Sequence, residues 1–153
     1  MFKWFTFFLF YVGMISAVGA SALSKTLPHP SLSPLDVVKI VMNALRQNDV
    51  PKKNQGIAIT YNFASPANKK VTGPLGRFVT MVSGPVYGDM LDHRGAEYEN
   101  VLVNGDRARI DVVISLAAGR FVGFRFFLTK QRRNKFDGSW MTDSVMPIEV
   151  VSS

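Results

Sequence analysis

The period of the hydrophobic pattern changes near residue 92, and this change constrains the fold more than any other feature of the sequence. Before it, apolar residues recur every three or four positions, as on one face of an α-helix. After it, apolar and polar residues alternate, as in "RIDVVIS" and "FVGFRFFLT", which is typical of half-buried strands. Helices followed by strands predict an α+β domain with its helices packed on one face of a curved antiparallel sheet.

Three helical segments are predicted before the change of period. The first begins after Ser33, which can cap the free amides, and Pro34 suits the first helical position. The stretch "IAITYNFA" predicts a short second helix that ends at Ser65-Pro66, and a third helix follows Gly73-Pro74. These two dipeptides are interpreted as the corner between the second and third helices. The alternative is that they border a functional site.

Loop length fixes the pairing of the two central strands. The three-residue loop "AAG" pairs Leu116 with Arg120, and therefore Asp111 with Arg125. This register puts the apolar faces of both strands on the same side of the sheet, as burial requires. Asp111 and Arg125 are then expected to form an ion pair on the other face.

The strand before them is predicted from Asn104-Gly105, the strongest hairpin pattern in the chain. A two-residue loop at this dipeptide pairs Glu99 with Ile110 and turns the carboxylate towards the core. A β-bulge within "EYENVLV" is therefore expected, because one extra residue restores the correct face.

The N-terminal stretch "MFKWFTFFLFYVGMISAVGASA" has one lysine, an aromatic-rich apolar run and small residues at its end. This pattern predicts a signal peptide over residues 1–22 and export from the cytosol. One alternative is an uncleaved membrane anchor through residues 4–24. Another is the plastid of an alga, because "ASALSKTLPHPSLS" resembles a transit segment. Residues 23–33 are predicted to form an extended linker, and residues 34–150 the folded domain.

The residue types present exclude several kinds of chemistry. The chain has no cysteine, which excludes disulfides, a thiol nucleophile and cysteine-containing zinc sites. Of its two histidines, His29 lies in the linker and His93 is interpreted as a surface or capping residue. The acidic residues show no spacing typical of metal ligands, and there is no phosphate-binding or dinucleotide motif. No metal and no cofactor are predicted.

Five stretches resemble an uncharacterised domain family of the nuclear transport factor 2-like (cystatin-like cone) superfamily: "FASPANK", "GPLGRFVTMV", "HRGAEY", "FRFFLTKQ" and "GSWMTDSV". The similarity covers residues 32–145. It implies a cone-like fold in which a bent sheet wraps round the first helix and leaves a cavity at its open end. The family has no assigned reaction, so the resemblance implies a fold and not a function.

Enzymes with this fold often use one Asp or Tyr in an apolar cavity, where desolvation raises a carboxyl pKa enough for proton transfer. The resemblance therefore implies Asp143 and Tyr61 as candidates for such a role. The residues predicted to contact a ligand are Tyr61, Phe78, Tyr87, Trp140 and Asp143. We expect an exported, non-catalytic module that binds a small apolar molecule or serves assembly. The alternative is a cavity enzyme of isomerase, lyase or hydrolase type.

Two surfaces are predicted to meet partners. Domains with this fold commonly dimerise through the open sheet face, which here carries Arg109, Val113, Phe121, Phe127 and Trp140. The net charge of +7 includes a basic hairpin tip formed by Lys130, Arg132, Arg133 and Lys135. This tip is interpreted as a solvated turn or as a weak site for an anionic membrane. Export and the absence of interleaved aromatics argue against nucleic acid as a partner.

Overall fold

The structure is a computed structural model that describes residues 27–150. The predicted signal peptide, the alternative anchor and the first part of the linker lie outside the described residues. Within residues 27–150, none of the helices has both the length and the apolar character that a membrane crossing requires.

Helices precede strands along the chain, as the change of period predicted. The four α-helices of the described residues are α1 (Pro34–Arg46), α2 (Gln55–Asn62), α3 (Pro66–Thr72) and α4 (Leu75–Val82). The strands are β1 (Gly95–Asn104), β2 (Arg107–Ser115), β3 (Phe121–Lys130) and β4 (Trp140–Ile148). They form one antiparallel sheet in the order β1-β2-β3-β4. The α+β class is confirmed.

Helix α1 begins where its capping residues predicted. The Ser33 hydroxyl accepts a hydrogen bond from the Asp36 amide, while the Asp36 carboxylate accepts one from the Ser33 amide. The two groups satisfy each other's free amides in a capping box. The Ser33 hydroxyl also lies 2.6 Å from the Asp36 carboxylate, and its hydrogen bond, with that from the Ser33 amide, lowers the pKa of Asp36 below its ordinary value.

Helix α3 was not predicted, and the interpretation of residues 65–74 as a single corner is wrong. The Ser65 hydroxyl accepts a bond from the Asn68 amide, and Pro66 occupies the first helical position. A Ser-Pro pair therefore ends α2 and also starts α3. The new helix has only seven residues, too few for its hydrophobic period to be recognised in the sequence.

The two central strands pair in the predicted register, with Asp111 opposite Arg125. The Leu116 amide donates to the Arg120 carbonyl at 2.8 Å and closes the loop. The hairpin between β1 and β2 differs from the prediction by one residue, because Asn104 pairs with Arg107. Its loop is thus formed by residues 105 and 106.

Each edge strand contains a β-bulge. The bulge in β1 lies between Glu99 and Leu102, within the predicted stretch, and pairs Glu99 with Asp111. The bulge in β4 was not predicted. There Leu128 pairs with Thr142 and Phe127 pairs with Ser144, so that one residue, Asp143, is left over. Bulges of this kind change the direction of a side chain.

The core lies between the helices and one face of the sheet. The sheet contributes Ile110, Val112, Ile114, Phe124, Phe126 and Leu128, and α1 contributes Val37, Val38, Val41, Met42 and Leu45; all are at most 1% exposed. Their burial holds α1 against the middle of the sheet.

Candidate functional site

A cavity of about 470 Å³ opens between the helices and strand β4. This volume lies in the range of small-molecule sites. Its walls are mainly apolar and come from every helix and from two strands; they include Val41, Leu45, Ala64, Val71, Phe78, Met81, Val82, Tyr87, Met90, Phe126 and Val145. The cavity is therefore formed by the inner surface of the fold and is continuous with its core.

Polar side chains occupy two parts of this wall. Thr60, Asn68 and Thr72 come from the helices, and residues 142–144 come from the bulge of β4. Asp143 is the one charged residue among the described residues that line the cavity. The site thus has a single ionic group in otherwise apolar or neutral surroundings.

The segment of residues 63–68, "FASPAN", fixes the position of the bulge. The Thr142 amide donates to the Phe63 carbonyl at 2.8 Å, and the Ser65 amide donates to the Thr142 carbonyl at 2.8 Å. The Asn68 side-chain amide donates to the same carbonyl at 3.1 Å. Three hydrogen bonds therefore hold one residue of β4, which gives its side chain a defined direction.

The Thr142 hydroxyl is buried and has no hydrogen-bond partner in the described part of the chain, although the residue is only 6% exposed. The two other threonines of the wall differ from it. Thr60 donates to the Gly56 carbonyl at 2.9 Å, and Thr72 donates to the Asn68 carbonyl at 3.0 Å. Most buried polar groups in proteins are paired, so the free Thr142 hydroxyl requires an explanation.

Three of the five predicted ligand contacts line the cavity: Phe78, Tyr87 and Asp143. The Tyr87 hydroxyl donates to the Val145 carbonyl at 3.1 Å, so this ring is held against β4. The Asp143 carboxylate forms no hydrogen bond or ion pair within the described residues.

The other two predicted contacts are not among the lining residues. Tyr61 packs behind Phe78, with ring centroids 5.2 Å apart, and its hydroxyl donates to the Gly73 carbonyl at 3.1 Å. Trp140 is 6% exposed and its ring lies 5.4 Å from the Lys130 ammonium. Neither Thr142 nor Asn68 was predicted for the site, because no local pattern reveals a bulge or a bridge between distant segments.

His93 is buried, so its interpretation as a surface residue is wrong, whereas its contact with Met90, the last residue of the short 3-10 helix Gly88–Met90, agrees with the capping alternative. It is 3% exposed, and its Nδ1 atom lies 2.9 Å from the Met90 carbonyl. Burial lowers the pKa of the imidazole, and the bond to Met90 opposes this effect. The residue has a packing role beneath the turn that leads into β1.

The basic tip is more structured than a solvated turn. Arg132 forms two hydrogen bonds with the Asp106 carboxylate, at 2.8 and 2.9 Å. The Lys135 ammonium lies 4.9 Å from the Phe136 ring, and the Lys69 ammonium lies 5.5 Å from the same ring. Phe136 thus lies between Lys135 of the tip and Lys69 of α3, whereas residues 130–135 contain no interleaved aromatic. Burial and the nearby Lys135 charge lower the pKa of Lys69.

The outer face of the sheet carries the predicted ion pair. Arg125 Nε donates to an Asp111 oxygen at 2.6 Å, and Asn100, in the bulge of β1, donates to the other oxygen at 3.0 Å. These bonds lower the pKa of Asp111. Phe121 is 58% exposed on this face, but Trp140 is buried and adds nothing to an exposed patch.

Among residues 27–150, no group of three or more His, Cys, Asp or Glu side chains could hold a metal ion. Comparison of the chain with protein-family models, with curated proteins and with solved structures finds no match. The resemblance of the five sequence stretches to a known family therefore stays a prediction. The functional proposal is based on the cavity.

Proposed function

We propose that the protein is an exported, non-catalytic module that binds a small apolar molecule in the cavity between its helices and β4. The observation that carries this proposal is a mainly apolar cavity of about 470 Å³ that contains one carboxylate. Apolar clefts with a few placed polar groups are the usual form of small-molecule sites. Export is proposed from the N-terminal sequence pattern alone.

The proposal includes the cone-like, nuclear transport factor 2-like fold. The α+β order, the placement of α1 against the sheet and the position of the cavity beside β4 are consistent with it. The five resembling stretches remain its main support.

A cavity enzyme is the second candidate, and the position of Asp143 favours it. A carboxylate in an apolar cavity could transfer a proton to or from a bound molecule. Tyr61, the other proposed acid or base, has its hydroxyl bonded to Gly73 and is not among the lining residues. A molecule that the wild-type chain converts and the Asp143→Asn variant only binds would favour this candidate.

Binding of the uncharged dye Nile red tests the main proposal. We expect one dye per chain and a binding constant weakened about tenfold by Ala67→Trp, because Ala67 lines the cavity and the indole would occupy it. Ala117→Trp is the matched control, since Ala117 is exposed in the turn between β2 and β3. Equal binding by both variants would contradict the proposal.

Native mass spectrometry of the purified full chain would then identify a molecule that co-purifies. We expect its loss in Ala67→Trp and its retention in Ala117→Trp.

A further inference from the structure

Two consecutive residues at the polar part of the cavity carry side-chain groups that have no hydrogen-bond partner among residues 27–150. One is the buried Thr142 hydroxyl, and the other is the carboxylate of Asp143, the next residue in the bulge. A buried polar group without a partner destabilises the folded chain, because it loses its hydrogen bonds to water. The arrangement is explained if a bound molecule supplies the donor.

The surrounding backbone offers no substitute for that donor. The Thr142 amide is already bonded to the Phe63 carbonyl, and its carbonyl accepts from both Ser65 and Asn68. The same bonds prevent the strand from moving towards another partner. The backbone of Thr142 is therefore held in place, and its buried hydroxyl has no partner among the described residues.

The charge of the wall selects the kind of donor. No lysine, arginine or histidine is among the described residues that line the cavity, whereas Asp143 contributes one negative charge. An anionic head group would be repelled, while a cationic one would gain a charge-assisted hydrogen bond. An ammonium group also has several N–H donors and can reach the carboxylate and the hydroxyl together.

We propose that the cavity binds an organic cation with an apolar body and a primary or secondary ammonium head, which donates hydrogen bonds to Asp143 and Thr142. This inference rests on the proposed binding function and specifies the class of its ligand. The apolar body lies against Phe78, Val82 and Phe126, and the cavity volume suits a molecule of ordinary metabolite or drug size.

Three probes with the same apolar body test the head group: phenylbutylamine, phenylbutanol and phenylbutyrate. Each is titrated calorimetrically into the full chain at neutral pH, where the amine is cationic and the acid anionic. We expect the amine to bind at least about tenfold more tightly than the alcohol and the acid to bind most weakly.

Variants then assign the two contacts. Asp143→Asn keeps the size of the side chain and removes its charge, so the preference for the amine over the alcohol should disappear. Thr142→Val removes the free hydroxyl and should weaken the amine and the alcohol alike. Thr80→Val is the matched control, because that hydroxyl is already bonded to the Gly76 carbonyl and Thr80 is not among the described residues that line the cavity. It should leave all three affinities unchanged.

Thermal unfolding without probe separates a binding role of Thr142 from a structural one. Thr142→Val should raise the melting temperature, because it removes an unsatisfied buried polar group. A lower melting temperature would indicate that the hydroxyl has a structural partner, and would overturn its assignment as a ligand contact.

The remaining outcomes distinguish failure of the cation proposal from failure of the proposed binding function. If phenylbutanol binds as tightly as the amine, or Asp143→Asn keeps the preference for the amine, the cation proposal is wrong and the binding function stands. If none of the three probes binds, the cation proposal is also wrong. The Nile red measurement then decides the binding function separately.

Discussion

At the scale of single residues, His93 and Thr142 show how the partner of a buried polar group determines its role. Both residues are more than nine-tenths buried. His93 is bonded to the Met90 carbonyl, so the fold already satisfies one of its nitrogens. Thr142 has no partner for its hydroxyl within the described chain, and it lines a cavity. The first residue is expected to affect stability, and the second to affect binding.

The burial of His93 predicts a loss of stability in mild acid. Its pKa is lowered from the ordinary value of 6.5 by burial and by Arg46, while Met90 and Asp92 act in the opposite direction. Well above pH 6.5 the imidazole is neutral in both states. As the pH falls through this value, the unfolded chain takes up a proton more readily than the folded chain, so the free energy of unfolding decreases.

Urea unfolding at neutral pH and near pH 5.5 measures this effect. We expect the drop in free energy of unfolding to be larger in the wild-type chain than in His93→Gln, by at most about 1 kcal/mol. His29→Gln is the control, because His29 is exposed, and it should behave like the wild type. An equal drop in all three chains would contradict the prediction.

At the scale of elements, the short helix α3 and the loop between β3 and β4 have roles that their sequences do not show. The first turn of α3 and the residues just before it bond to Thr142 and so form part of the cavity wall. The loop brings Arg132 to Asp106 in the neighbouring hairpin. Each segment is positioned by a contact with a distant part of the chain.

The basic loop is expected to associate weakly with anionic membranes. Among the described residues, the side chains of Lys130, Arg133 and Lys135 form no ion pair, whereas Arg132 is paired with Asp106. Each cation near an anionic surface contributes about 1 kcal/mol. Sedimentation with vesicles containing phosphatidylserine should therefore recover part of the protein at low salt and little at high salt.

Two variants test the origin of this association. Alanine at Lys130, Arg132, Arg133 and Lys135 should abolish sedimentation. Asp106→Asn should increase it, because the variant releases Arg132 from its ion pair. If the wild-type chain stays in solution at low salt, or sediments equally with all four alanines, the loop is a solvated turn.

At the scale of the whole molecule, the two faces of the sheet differ in what covers them. The inner face is covered by the helices, and its large apolar residues are nearly fully buried. On the outer face Leu102, Phe121 and Met146 are each more than half exposed beside the Asp111–Arg125 pair. The Arg109 Nε atom on this face is buried and has no hydrogen-bond partner in the described residues. An apolar surface of this kind is typical of an interface.

We therefore expect a homodimer that covers the outer face of the sheet. Light scattering at tens of micromolar should give twice the mass of the chain. Phe121→Asp should give the monomer mass, because a charge would be placed in the apolar patch. Val86→Asp is the control, since Val86 is 53% exposed and lies outside the sheet. A monomer mass for the wild-type chain would exclude the dimer.

The sequence by itself determined the features that depend on neighbouring residues. The two hydrophobic periods identified the strands and three of the four α-helices of the described residues, and Ser33 and Pro34 marked the start of α1. The length of one loop fixed the register that places Asp111 opposite Arg125. These features follow from local geometry, because caps, periods and short loops involve residues only a few positions apart.

Only the tertiary structure decided how distant segments meet. It placed Asn68 against Thr142, 74 positions away, shifted the β1–β2 hairpin by one residue and buried His93. It also brought α1 and α2 so close that a side chain at Gly56 would overlap the Ala44 carbonyl. The bulge that leaves Asp143 unpaired lies where β4 contacts both β3 and the segment of residues 63–68. The alternation of apolar and polar residues does not predict it. The cavity and its polar end depend on these long-range contacts. The free energy of packing depends on both segments of a contact, so the sequence of one segment does not determine it.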